Sequence, residues 1–260
     1  MQKKSVSSWN TIIFLKICYK KLRGCNNVKK IKLFCIAHAG GSAVSFIKWR
    51  DYIDKKIEVI PIELSGRGAR IDQKLYDTFE EAVDDVYNVI NSETENSKYA
   101  IYGHSMGSWI ALALCYKLAK EKRKPPVHLF VSGKEAPFTK EKEENIHMLN
   151  DKELEKKLKE LGGTPRYIFE NEELKKMFLP IIRADYKIIE RYKFKEKQEL
   201  NCPISFFYGI NDSISDYEIN GWSNFTNNEF RIIKFKGNHF FLYEDVEKVS
   251  EEINSILKCY

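Results

Sequence analysis

From residue 31 onward, short apolar runs alternate with longer segments whose apolar residues recur at helical spacing. The runs have the length and composition of strands that are buried on both faces of a sheet. These runs are Ile31–Ile36, Ile57–Ile62, Tyr99–Tyr102, Val127–Val131, Ile204–Tyr208 and Phe230–Phe235. Apolar residues at helical spacing begin at Phe79, and they occur again from about Met106 to Lys120 and from about Asp245 to Leu257. Strands that alternate with helices predict an α/β fold with a mainly parallel sheet and helices on both faces.

Residues 139–199 interrupt this alternation, because they are rich in Lys and Glu and contain no strand-like run. Three helical stretches lie among them, at Asp151–Leu161, Asn171–Phe178 and Ile181–Tyr192. We interpret residues about 139–200 as a helical lid inserted into one α/β domain over residues 31–260. Residues 1–30 form a basic extension in this interpretation.

Composition excludes several classes of protein. A hydrophobic content of 43% with 31% charged residues is typical of a folded, soluble chain and too polar for a membrane protein. The net charge of +6 comes from 43 basic residues mixed with 37 acidic ones, so no nucleic-acid-binding tail is expected. The six cysteines show no CxxC pair and no metal-ligand spacing with histidine. The apolar run Ile12–Leu15 is too short and too closely flanked by lysines to be a signal peptide, so we expect a cytoplasmic protein.

The pentapeptide Gly103–Gly107 has the pattern G-x-S-x-G and joins a short apolar strand to a helix that is apolar nearly all round. In that setting the pattern predicts a nucleophile elbow, in which Ser105 is held exposed on a sharp turn. Without this setting, Ser105 would be a helix-capping serine in an ordinary strand–helix turn. The strand–helix context favours the catalytic interpretation.

A nucleophilic serine needs a base, which in this architecture follows it in the chain. Three histidines follow Ser105. His128 lies one residue into a strand, where a structural role is expected, and His147 lies in a charged segment where we expect a surface residue. His239 follows the strand Phe230–Phe235 and precedes the last helix, so its placement beyond a strand end favours it as the base.

The acid that orients the base is expected between the serine and the histidine. Asp212 follows the strand Ile204–Tyr208, and Asp216 is its near competitor. We prefer Asp212 because it lies closer to the end of the strand, although an aspartate there could also serve only in a turn or a helix cap.

Two backbone N–H groups are needed to bind the oxyanion that forms during acyl transfer. The residue after the nucleophile, Met106, supplies one in this architecture. The loop after the first strand contains the pair Gly40 and Gly41, which lets the backbone approach a carbonyl closely, and Ala39 is the predicted second donor. An ordinary Gly-Gly turn is the alternative.

Further segments extend the pattern beyond the serine. In chain order they are Leu33–Ala43, Glu63–Arg70, Ser132–Pro137, Leu161–Pro165, Leu179–Asp185 and Gly237–Leu242. They resemble the first strand and oxyanion loop, the P-G-R-G-x-R loop, the S-G-R-x-A-P segment, two lid motifs and the G-G-H-F-F-L segment of type II thioesterases. These are the stand-alone editing enzymes associated with nonribosomal peptide and polyketide synthases. The resemblance covers about residues 31–250, and Ser213 stands where the family often has proline.

The resemblance implies an α/β-hydrolase fold and places Ser105, Asp212 and His239 on the family's catalytic triad, in agreement with the placement argument. It implies hydrolysis of acyl groups from the phosphopantetheine arm of an acyl- or peptidyl-carrier protein, with no metal or cofactor bound to the enzyme itself. A monomer that binds neither nucleic acid nor membrane is expected.

Other readings of the same residues remain open at the level of sequence. They are a general esterase or acyl-CoA thioesterase, an acyltransferase that uses the same acyl-enzyme, and a non-catalytic binding module of the same fold. The intact serine, aspartate, histidine and glycine set argues against the binding module.

Overall fold

The computed structural model describes residues 30–94, 97–139, 145–195 and 197–260. The basic extension predicted over residues 1–30 therefore lies, apart from Lys30, outside the described residues. The division of the chain into an extension, one domain and a lid stays a prediction.

Six parallel strands form one sheet in the described part of the chain. They are β1 (Ile31–Ile36), β2 (Ile57–Pro61), β3 (Tyr99–His104), β4 (His128–Ser132), β5 (Ile204–Gly209) and β6 (Phe230–Phe235). Their order across the sheet is β2-β1-β3-β4-β5-β6, and every neighbouring pair is parallel. The predicted parallel sheet is confirmed. All the carboxyl ends meet at one edge, and the strand order reverses between β1 and β3, where open α/β sheets form a crevice for ligands.

Helices connect these strands. The α-helices are α1 (Phe79–Thr94), α2 (Met106–Lys120), α3 (Asp151–Leu161), α4 (Arg166–Glu170), α5 (Glu172–Arg191), α6 (Asp216–Asn220), α7 (Phe241–Glu244) and α8 (Val246–Leu257). Short 3-10 helices cover Ala43–Asp51, Gly68–Arg70, Ile146–Met148 and Gly221–Phe225. None of the helices among the described residues is both long and apolar enough to cross a bilayer.

The two faces of the sheet carry separate hydrophobic cores. On one face, helices α1 and α2 pack against strand residues that include Ile101, Val131 and Phe206. On the other face, the 3-10 helix Ala43–Asp51 and helix α8 pack against residues that include Tyr102 and Phe130. This burial on both faces explains why the strands are continuous apolar runs, and the arrangement is the α/β-hydrolase architecture that the sequence predicts.

Between β4 and β5 the chain forms the helical insertion, which we define as the described residues 145–195. Helices α3, α4 and α5 share a small core of their own, with members such as Leu154 and Phe169. The prediction of two helices separated near Pro180 is wrong, since α5 runs continuously through that proline. Proline removes one backbone hydrogen bond from a helix. Packing of the buried residues that follow it, Ile181 and Ile182 among them, maintains the helix.

His147 lies at the edge of this insertion, and the expectation of a surface residue is wrong. Only 10% of its side chain is exposed. Its ring Nδ1 is hydrogen-bonded to the carboxylate of Glu190 in α5, which also accepts the backbone N–H groups of Ile146 and His147.

His128 is a structural residue, as the sequence predicts. It begins β4 and is 2% exposed, and its Nε2 lies 2.8 Å from Ser205 Oγ on β5. Burial lowers the pKa of His128 to about 4, and the nearby positive charge of Arg231 contributes in the same direction.

Stability should therefore fall in acid, partly through His128. An unfolded histidine takes up a proton near pH 6.5, whereas His128 in the folded protein does so only near pH 4, so protonation favours unfolding between these values. Between pH 7 and pH 4, the free energy of unfolding of the variant His128→Gln should therefore fall by about 2 to 3 kcal/mol less than that of the native chain. Urea unfolding at a series of pH values measures this difference, and parallel pH dependences would contradict the assignment.

Candidate active site

The serine turn, residues Gly103–Gly107, connects buried strand β3 directly to helix α2. A Cβ atom on Gly103 would lie 2.1 Å from the backbone oxygen of Gly107, and one on Gly107 would lie 2.3 Å from the backbone oxygen of Ile36. Both contacts are with backbone atoms that cannot move aside, so glycine is required at both positions. Ser105 between them has φ +54° and ψ −119°, a strained conformation for a residue with a side chain. It is the one residue of the turn that is not buried.

The serine turn is also fixed to the neighbouring strand β4. The N–H of Ser105 donates to the backbone oxygen of Ser132 at 2.7 Å. The N–H of Ser132 in turn donates to the side-chain oxygen of Ser108 at 2.9 Å. The start of α2 and the end of β4 thus hold the strained residue from two sides.

Asp212 and His239 are brought together, as the sequence predicts. His239 Nδ1 lies 2.9 Å from Asp212 Oδ2, and the Asp212 side chain is only 5% exposed. The other carboxylate oxygen, Oδ1, accepts the backbone N–H of Ser213 at 2.8 Å. A proline in place of Ser213 could not make this bond, so the acid loop of this chain holds its carboxylate with one additional donor.

Backbone contacts between the two loops explain how the pair forms. Asp212 follows β5 and His239 follows β6, and these two strands are neighbours in the sheet. The N–H of Asn211 donates to the backbone oxygen of Gly237 at 3.0 Å. A Cβ on Gly209 would lie 2.1 Å from the backbone oxygen of Asn238, so the end of β5 lies directly against the loop that carries the histidine.

The alternative acid lies elsewhere. Asp216 is the exposed first residue of helix α6 and lies between Ser215 and Glu218, which form a capping box. An exposed carboxylate in the first turn of a helix interacts favourably with the helix dipole and needs no further role.

The ring of His239 lies beside the serine turn. Its centroid is 5.0 Å from that of His104, the residue before Ser105. Ser105 Oγ and His239 do not form a hydrogen bond in the described structure. Hydrogen bonds between a nucleophile and its base are often long in free enzymes and shorten when a substrate binds.

Two backbone N–H groups at this edge, those of Ala39 and Met106, have no acceptor among the described residues. Met106 begins helix α2, so its N–H is one of the free donors of a helix N-terminus, where negative charge is favoured. The end of β1 reaches the same place, because Gly107 packs against the backbone oxygens of Ile36 and Ala37. Both donors therefore lie at the carboxyl edge of the sheet, and their role as the oxyanion site stays a prediction.

His104 is a buried histidine beside Ser105, and the sequence predicts no role for it. It is fully buried, its Nδ1 lies 2.9 Å from Ser132 Oγ, and its Nε2 has no partner among the described residues. Burial lowers the pKa of His104 well below 6.5, and the positive charge that His239 can carry acts in the same direction. A neutral His104 adds no positive charge that would oppose protonation of His239.

Arg67 and Asp185, for which the sequence predicts no role, lie together beside the glycine pair. Their side chains are joined by two hydrogen bonds, and the backbone N–H of Gly40 donates to the same aspartate. Both residues belong to segments that resemble family motifs, and this resemblance was the only sign in the sequence that they have a function. Nothing in the sequence indicated that residues so far apart are in contact.

The chain is similar in sequence to known proteins. A family model described as "Thioesterase domain" matches residues 31–257. The gramicidin S biosynthesis protein GrsT of Aneurinibacillus migulanus is 35% identical over 227 residues, which cover 87% of this chain and 88% of that protein. The medium-chain S-acyl fatty acid synthase thioesterase of Rattus norvegicus is 30% identical over 233 residues, covering 88% of this chain and 87% of that protein.

A solved structure shows the same likeness in three dimensions. ClbQ from the colibactin NRPS/PKS pathway superposes with a TM-score of 0.84 at 36% identity, covering 88% of this chain and 98% of that one. The serine turn and the acid–base pair therefore lie in a fold shared with proteins of this kind.

Replacing the two candidate acids separately should distinguish them. Asp212→Asn should lower kcat roughly 10²- to 10⁴-fold, because the amide no longer stabilises a charged imidazole or holds its productive tautomer. The matched control Asp216→Asn should stay within about twofold of the native chain, since an exposed side chain in the first turn of a helix has little effect. Hydrolysis of an acyl-N-acetylcysteamine thioester measures both. A larger loss in Asp216→Asn would reverse the assignment.

Proposed function

The chain belongs to the thioesterase family, and from this membership we propose that it releases acyl groups from the phosphopantetheine arm of carrier proteins in a nonribosomal peptide or polyketide synthase. It is a hydrolase that acts on thioesters. The relatives that support the carrier proposal are GrsT, named for gramicidin S biosynthesis, and ClbQ, named for a colibactin NRPS/PKS pathway. Removal of unproductive acyl groups from stalled carriers is the role we assign.

The observation that carries the chemistry is the Asp212–His239 hydrogen bond of 2.9 Å beside a strained, accessible Ser105. In the proposed mechanism Ser105 Oγ attacks the thioester carbonyl while His239 takes its proton. Asp212 holds the imidazole and stabilises its charged form. The proton on His239 then passes to the departing thiol sulfur, which leaves an acyl-serine ester.

Deacylation repeats these steps with water. His239 accepts a proton from the water as its oxygen attacks the ester carbonyl, and returns the proton to Ser105 Oγ as the acid departs. In both steps the N–H groups of Ala39 and Met106 are the proposed oxyanion donors. No resident metal or cofactor enters the proposal, because the triad performs the proton transfers and a thiol is a good leaving group.

We propose that the enzyme works as a monomer in the cytoplasm. Cys35, Cys115 and Cys202 are buried free thiols, which suits a reducing compartment. The net charge of +6 suits an acidic carrier protein as the partner.

Release of acid from an acyl-loaded carrier protein tests the proposal directly. The native chain should release short acyl groups, and Ser105→Ala should lower the rate by at least about 10³-fold, because the covalent route is lost. Acyl groups of two to twelve carbons should be compared on the same carrier. The related medium-chain fatty acid synthase thioesterase suggests a second candidate function, the release of a finished fatty acid. This function predicts a sharp preference for the longer of these acyl chains.

An unchanged rate in Ser105→Ala would contradict the serine mechanism. Turnover of the matching free esters or acyl-CoA as fast as carrier thioesters would favour a general esterase or acyl-CoA thioesterase. Transfer of the acyl group to an added alcohol or amine in preference to water would favour an acyltransferase.

Salt should separate carrier recognition from chemistry. Raising NaCl from roughly 50 to 500 mM should lower kcat/KM for acyl-carrier protein several-fold, because salt screens attraction between a basic enzyme and an acidic carrier. The uncharged acyl-N-acetylcysteamine thioester is the matched control and should change little. Equal salt dependence for the two substrates would contradict electrostatic steering.

A further inference from the structure

A buried ion pair joins the helical insertion to the loop after β2. Arg67 Nη1 lies 2.5 Å from Asp185 Oδ2, and Nη2 lies 2.8 Å from Oδ1, so the contact is bidentate. The side chains are 3% and 2% exposed. Asp185 lies in α5 beyond Pro180, in the half of the helix whose residues Ile188 and Ile189 belong to the main core.

The same ion pair holds the turn after β1. The backbone N–H of Gly40 donates to Asp185 Oδ2 at 2.7 Å, and Arg67 Nη1 donates to the backbone oxygen of Gly41 at 3.3 Å. Helix α5 also touches the turn directly, since a Cβ on Gly40 would lie 2.4 Å from Ile182 Cγ1. The carboxylate therefore binds a guanidinium and a backbone donor at once.

The contact fixes the turn that carries the predicted oxyanion donor. His38–Gly41 form a turn closed by the Gly41 N–H, which donates to the backbone oxygen of His38 at 2.9 Å. Gly40, its third residue, has φ +76°, the feature of a type II turn. The N–H of Ala39 shares a peptide plane with the bonded oxygen of His38 and points away from it. The Gly40 N–H belongs to the next peptide plane, whose direction Asp185 sets.

A buried ion pair is weak evidence for stability, because the cost of removing two charges from water is comparable with their attraction. Apolar side chains of similar volume would hold α5 against the loop equally well. They could not accept the N–H of Gly40. The chemistry that requires a carboxylate at position 185 is therefore its bond to the turn.

We propose that Asp185, oriented by Arg67, is a positioning residue for the oxyanion site, which it acts on through Gly40. It keeps the central peptide of the turn in the orientation that leaves the Ala39 N–H directed at the reacting carbonyl. This proposal rests on the serine mechanism proposed above and not on the identity of the acyl carrier.

Two variants test the proposal, and both are assayed with an acyl-N-acetylcysteamine thioester, which needs no carrier protein. Asp185→Asn keeps the size of the side chain but loses its charge. The double variant Arg67→Met with Asp185→Leu replaces the whole ion pair with apolar side chains and is expected to fold, because such replacements are often neutral for stability. Thermal unfolding establishes that each variant is folded under the assay conditions.

A matched control exists on the same helix. Arg183 of α5 pairs with Asp151 at 2.7 Å, but the Asp151 side chain is 77% exposed and the pair has no contact with the Gly40 turn in the described structure. Asp151→Asn should leave kcat and KM within about twofold of the native values.

The expected result is a loss in kcat with little change in KM. A misplaced oxyanion donor should lower kcat about 10- to 100-fold in the double variant, because its bond forms only in the transition state. The loss in Asp185→Asn should be smaller, because the amide oxygen can still accept the Gly40 N–H. An acyl trifluoromethyl ketone gives a second measurement, since Ser105 Oγ adds to its carbonyl carbon, the proton passes to His239 and the carbonyl oxygen becomes an oxyanion. Its inhibition constant should rise by the same factor as kcat falls.

A purely structural role predicts a different result. A lower melting temperature with native kcat and native ketone affinity in the folded double variant would overturn the proposal. A rise in KM alone would also overturn it. Loss of ketone binding in Ser105→Ala tests the serine mechanism separately, so failure of that mechanism and failure of this proposal give different results.

Discussion

The close approach of helix α2 to the ends of β1 and β3 is the constraint on which the site depends. Gly107 lies against the backbone oxygens of Ile36 and Ala37, where any side chain would collide. Met106, whose backbone N–H has no acceptor among the described residues, lies next to Gly107 at the start of this helix. The two predicted oxyanion donors come from different loops, and the Gly107 contact brings these loops to the same edge of the sheet. Ser105, with its strained conformation, lies between Gly103 and Gly107, the two glycines of this close turn.

The parallel sheet extends this arrangement to the acid and the base. Because β5 and β6 are adjacent and parallel, their following loops leave the sheet side by side and can be joined by backbone hydrogen bonds. Asp212 and His239 then need only short side chains to meet. Burial keeps the neighbouring His104 neutral, so it places no second positive charge beside the imidazole that Asp212 holds.

The sequence predicted the features that depend on local pattern and strand order. Apolar runs gave the strands, and the rule that loops after parallel strands share one edge placed Ser105, Asp212 and His239 together. It could not predict features that depend on packing between distant segments. Helix α5 continues through Pro180 because its buried face overrides the local cost of proline, and His147 is covered because Glu190 lies across from it. These contacts join residues that are far apart in the chain, and no periodic pattern in the sequence indicates that they meet.

The contact between Asp185 and Gly40 connects the predicted oxyanion turn to the helical insertion. The insertion leaves the sheet after β4 and returns at β5, yet α5 reaches back across β3 to the turn after β1. Arg67, from the loop after β2, meets it there. One carboxylate thus links segments that follow three different strands. A displacement of this half of α5 would remove the acceptor of the Gly40 N–H, so the position of the insertion and the geometry of the predicted oxyanion site are physically coupled.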